Sequence, residues 1–103
     1  MISSFLLTGC FGQNTNDSVI DQTRQDRAII SCKNQCDSSK IFEDFSNGPC
    51  LSNSIQPDWV CDIVHSPREA VDDDPANQCS AYSDRTANHY VELDTDCNLI
   101  KAK

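Results

Sequence analysis

Basic residues are scarce in this chain: 8 Lys plus Arg stand against 16 Asp plus Glu, a formal charge of −8. Such a surface repels phosphate backbones and anionic headgroups, which argues against nucleic-acid partners and against membrane binding by charge. Aromatics are few as well. Trp59, Phe42, Phe45, Tyr82 and Tyr90 do not make a stacking platform for sugars or bases, and most are expected in the core; an exposed pair would be the first hint of a ligand groove. The apolar stretch at the start, Met1-Ile2-Ser3-Ser4-Phe5-Leu6-Leu7, is too short for a membrane span, which takes about 20 residues. It also carries no Lys or Arg. Internal repeats and low-complexity tracts are absent.

Cysteine is what the chain has in excess. Its 103 residues allow one domain, and a chain of this size buries only about 60 to 65 % of its unfolded surface, so its core needs reinforcement. Seven cysteines stand at 10, 32, 36, 50, 61, 79 and 97. With Cys10 set aside, Cys32, Cys36, Cys50, Cys61, Cys79 and Cys97 form an even set spread through the domain, as expected of three disulfides in an oxidising compartment. Six cysteines allow 15 connectivities. Cys32 and Cys36 are expected to bridge outward to strands or loops, because residues four apart on a helix lie too far apart at Cβ to bond to each other.

Cys10 has its own context. Leu7-Thr8-Gly9-Cys10 resembles the lipobox of prokaryotic lipoproteins, in which the cysteine becomes the lipidated N-terminus of the mature chain. The resemblance implies that residues 1–9 are the tail of a signal segment whose true start lies upstream of Met1. Residues 10–17 then form a polar tether, Gln13-Asn14-Thr15-Asn16-Asp17 among them, and 18–103 the folded domain. Two acyl chains on Cys10 would anchor the protein stably, at about 0.8 kcal/mol per buried methylene. A second resemblance covers the domain: "WVCDIVHSPREAVDDDPANQC" followed by "NHYVELDTDC" resembles small cysteine-rich secreted or lipid-anchored archaeal domains. That resemblance implies an extracytoplasmic location and assigns no catalytic residue.

The spacing predicts a helix from about Ser18 to Lys40. Ser18 and Asp21 read as a capping box, and Ala28, Ile29, Cys32 and Cys36 share one narrow face. Asn47-Gly48-Pro49 turns the chain. Cys50 to Ser52 and Trp59 to His65 read as strands, the second with Trp59, Cys61, Ile63 and His65 on one face and Val60, Asp62 and Val64 on the other. Gln78 to Tyr82 and Asn88 to Leu93 read as further strands, and Cys97 to Ile100 as a last short one. The expected class is therefore α+β: one N-terminal helix on a short antiparallel sheet of three to four strands, crossed by disulfides.

Chemistry has few footholds. His65, His89 and Glu92 are the candidates for a small hydrolase or nuclease, provided the strands bring both histidines to one sheet edge. Cys79, His89 and Asp94 or Asp96 follow the order of a cysteine nucleophile, base and acid, but the thiol is expected in a disulfide. The spacing of Cys32, Cys36, Cys50 and Cys61 does not match paired zinc knuckles. Asp72, Asp73 and Asp74 with Asn77 make an oxygen-rich loop that suits a calcium-dependent structural domain, although adjacent carboxylates diverge and the central glycine of a calcium loop is missing. No cofactor motif is present. The reading that accounts for most residues is a lipid-anchored or secreted binding or structural module with a protein or envelope partner. Its recognition surface is expected on the proline-stiffened loop carrying His65, Arg68, Asp72, Asn77 and Gln78.

Overall fold

A computed structural model describes residues 18–103 with their side chains. The lipobox Leu7 to Cys10 and the tether lie outside those residues. One main helix packs on a four-stranded mixed sheet, the expected α+β class.

Helix α1 (Ser4–Ser39) ends where its sequence indicates, but its backbone is already helical at Ser18. The Ser18–Asp21 pair therefore begins no helix. Serine and aspartate cost only about 0.7 kcal/mol or less inside a helix, too little to force a start. Ala28, Cys32 and Cys36 are fully buried, with Ile29 packed at their margin. That face meets Trp59, Cys61, Ile63, Val91 and Leu93 from the sheet to form the main core.

The strands are β1 (Cys50–Gln56), β2 (Trp59–Ile63), β3 (His89–Leu93) and β4 (Leu99–Ala102), in that spatial order. β1 with β2 and β3 with β4 are antiparallel hairpins, but β2 and β3 run parallel, so the sheet is mixed and not antiparallel throughout. Residues 64–88 supply the crossover that parallel neighbours require. Asp58 sets its register. With φ of 73° it closes the β1–β2 turn after Pro57, and its side chain accepts from the amide and Nδ2 of Asn88 at 2.9 and 3.0 Å. Trp59 then lies opposite His89, their rings stacked at 4.6 Å.

The crossover covers the sheet's second face. It contains two short 3-10 turns, Ala70–Asp73 and Pro75–Asn77, and one turn of helix, α2 (Ser80–Ser83), where a strand was expected. The helical turn forms because Asn53, on β1, accepts from the amide of Ala81 at 2.9 Å. Val60, Cys79 and Ala87 make a small second core there, so β2 is buried on both faces. Of the aromatics expected inside, Phe45 and Trp59 are buried, whereas Phe42 is 87 % exposed just after α1.

Three disulfides join these layers. Cys32–Cys61 ties α1 to β2, Cys36–Cys97 ties α1 to the β3–β4 turn, and Cys50–Cys79 ties β1 to the start of α2. Both helix cysteines bridge outward, as their spacing requires. Three bridges in so small a domain fit an extracellular protein. Among the described residues no helix is long and apolar enough to cross a membrane.

Candidate functional site

The alternation of β2 puts Val60 and Asp62 on the crossover face, and the parallel register sets Tyr90 beside Val60 and Glu92 beside Asp62. The crossover adds Arg68, Gln78 and Cys79, and α2 adds Tyr82 and Ser83. Together they line a cavity of about 260 Å³.

Asp62 is the unusual member. Only 9 % exposed, it has an Oδ1 with no hydrogen-bond partner among the described residues. Burial, and next the charge of Glu92, push its carboxyl up to about 7; Arg68 and the Ile63 amide oppose the shift. Arg68 turns Nε to Asp73 at 2.9 Å and Nη1 to Glu92 at 3.3 Å, and makes no hydrogen bond to Asp62. The cavity thus offers a group that takes and releases a proton near neutrality, beside an edge-to-face Tyr82–Tyr90 pair 5.1 Å apart. Tyr82 is exposed and Tyr90 half-buried.

Comparison with known protein families, curated proteins and solved structures finds no match to this chain. Its chemistry must be read from its own residues.

His65 and His89 do not meet. His65 follows the C-terminal end of β2 and His89 begins β3; because these strands are parallel, the two rings lie at opposite ends of the pair. His65 is held at Nδ1 by Asp72 at 2.9 Å, and its Nε2 is 3.8 Å from Glu69. His89 stacks on Trp59 and lies 3.6 Å from Asp58. It borders a separate groove of about 680 Å³ between α1 and the start of β2, with Arg24 and Arg27 on the helix side. Of the three candidate catalytic residues, only Glu92 reaches the crossover cavity.

The three consecutive aspartates point to three separate tasks. Asp72 turns inward and accepts from the amides of His65 and Glu69 at 3.0 and 2.8 Å. Asp73 pairs with Arg68, and Asp74 caps the second 3-10 turn through the Ala76 amide. Among the described residues no three His, Cys, Asp or Glu side chains gather as a metal site. Asn77 is spent on the Val71 carbonyl, so of the expected recognition loop Arg68 and Gln78 face the cavity, while His65, Asp72 and Asn77 hold the loop's shape.

Sequence reasoning passed over Asp62, Tyr82 and Tyr90 as site residues. For Asp62 a signal was present: a carboxylate between Val60 and Val64 on one strand face is out of place unless that face does something polar.

Proposed function

We propose that this chain is an extracytoplasmic binding module, carried on the membrane by a lipid at Cys10, whose working surface is the crossover face of the sheet. One observation carries the binding role: a cavity lined by a buried carboxylate whose Oδ1 has no partner among the described residues, on a face that the Cys50–Cys79 bridge holds in place. The three-disulfide cysteine set supports an extracytoplasmic location, and the Leu7-Thr8-Gly9-Cys10 pattern supports the anchor. A catalytic role for the histidines has less support, since His65 and His89 sit apart and each is engaged by a carboxylate.

The test is the intact mass of the protein recovered from membranes after expression of the full gene, before and after reduction and alkylation. A chain beginning at Cys10 with acyl groups, and six cysteines alkylated only after reduction, is expected. Unlipidated chain with free thiols contradicts the proposal. As a check on the enzymatic alternative, His65→Ala and His89→Ala should remove no activity on a panel of phosphodiesters and esters.

A further inference from the structure

The crossover cavity holds more negative charge than its own cations satisfy. Arg68 is committed to Asp73 and Glu92, and Lys101 of β4 reaches over the Tyr90 ring, 5.9 Å from its centre. Neither makes a hydrogen bond to Asp62. Asp62 is itself more than nine-tenths buried, and its Oδ1 has no donor among the described residues. Buried carboxylate oxygens are almost always paired, so one left open on a cavity wall marks where a donor from outside belongs.

The shape and walls of the cavity narrow the choice. At about 260 Å³ it is smaller than a drug-sized site of about 300 to 1,000 Å³, so it suits one short chain and not a sugar or a peptide backbone. Tyr82 and Tyr90 present aromatic surface, which attracts organic cations. Calcium and magnesium ask for about six oxygen ligands, zinc for about four nitrogen, sulfur or oxygen ligands, and among the described residues no three His, Cys, Asp or Glu side chains gather as a metal site. The net charge of −8 draws any cation toward the molecule.

We propose that this cavity binds a primary alkylammonium group, with Asp62 as its buried counter-charge, Glu92 beside it and the Tyr82–Tyr90 pair as its aromatic wall. The proposal rests on the binding-module reading and names the chemistry that its crossover face recognises. A free amine and the lysine side chain of a partner protein both supply that group. Burial, Glu92 on β3, Arg68 and Asp72 on the crossover and the Ile63 amide set the charge of Asp62; the other titratable groups around the cavity are Tyr90 on β3 and Tyr82 on α2, with Lys101 of β4 over the Tyr90 ring. An alkylammonium stays charged below about pH 10, so affinity follows the ionisation of Asp62.

The experiment is a ¹⁵N-NMR titration of the oxidised full chain with n-butylammonium chloride at pH 6 and pH 8. n-Butanol and tetramethylammonium chloride serve as controls, and a lysine-centred tripeptide amide forms a second arm. Saturable shifts are expected at the amides of Asp62, Ile63 and Glu92. With the Asp62 carboxyl titrating at about 7, binding should be about tenfold tighter at pH 8 than at pH 6. Asp62→Asn should abolish the shifts while keeping a folded spectrum; if that variant does not fold, the pH comparison on the unaltered chain decides. Binding of the tripeptide assigns the group to a protein partner, and binding of butylammonium alone assigns it to a free amine. Absence of saturable shifts, equal shifts with butanol, or persistence in Asp62→Asn overturns the proposal. If this occurs on a chain whose three disulfides are intact, the binding-module reading survives it; free thiols in the native protein overturn both.

Discussion

Asp72 is 1 % exposed, and burial alone would raise its pKa. The amides of Glu69 and His65 and the His65 ring outweigh that penalty and hold its carboxyl below the usual aspartate value. Its stabilising contribution is therefore present above the unfolded aspartate pKa of about 3.9 and lost as pH falls through the lower folded value. Gly48 makes room for it. With φ of 62°, Gly48 lies where a Cβ would meet Asp72 Oδ1 and come within 2.9 Å of the Ile63 carbonyl. Asp72→Ala is expected to cost about 3 kcal/mol or more at pH 7, and Gly48→Ala at least about 1 kcal/mol. Urea denaturation at pH 7 and pH 3 checks both, and the Asp72→Ala cost should shrink at the lower pH.

Asp62 works in the opposite direction. Its folded pKa of about 7 lies above the unfolded value, so the folded state keeps a proton that the unfolded chain releases. Stability should fall as pH rises from about 4 to about 7, by about 4 kcal/mol in all, and then level off. Asp62→Asn removes that decline. At pH 8 the variant should unfold at a higher urea concentration than the unaltered chain; an unchanged or lower midpoint would mean that Asp62 is ionised without penalty in the fold.

At the scale of elements, each bridge has its own territory. Closing a loop of 29 residues restricts the unfolded chain by about 3.5 kcal/mol, and closing one of 61 residues by about 4 kcal/mol. Cys50→Ala with Cys79→Ala should leave α1 docked by the other two bridges and loosen the crossover. Hydrogen exchange should then accelerate at Ala81 and Ala87 while Val91 and Leu93 remain protected. Equal loss of protection throughout would show that the crossover and the helix–sheet core open as one unit.

The same elements show how far the sequence could be read. The inward face Ala28, Cys32, Cys36 and the alternation of Trp59 to Val64 were legible, because period and burial coincide there. The direction of β3 was not: nothing local distinguishes a hairpin from a crossover, and the Asp58–Asn88 contact that fixes the register joins residues distant in sequence. Gln78 to Tyr82 was misread as strand because its helical turn depends on Asn53 of another element. For the same reason the cavity was hidden, since Asp62 and Glu92 become neighbours only once β2 and β3 run parallel.

The whole molecule is organised by which cysteines are joined, because those bridges fix both the helix face and the crossover face. Only a thin core of buried apolar residues lies on either side of the sheet, so the bridges and the apolar packing must act together. The most direct measurement is peptide mapping of the unreduced protein. Cleavage after Lys and Arg should release 34–40 linked to 86–101, and separately 28–33 and 69–85 both linked to 41–68. A further cut before Asp58 separates Cys50 from Cys61; Cys50 should then remain with Cys79, and Cys61 with Cys32. Any other pairing, such as Cys32 with Cys50 or Cys79 with Cys97, would contradict the fold and the cavity together.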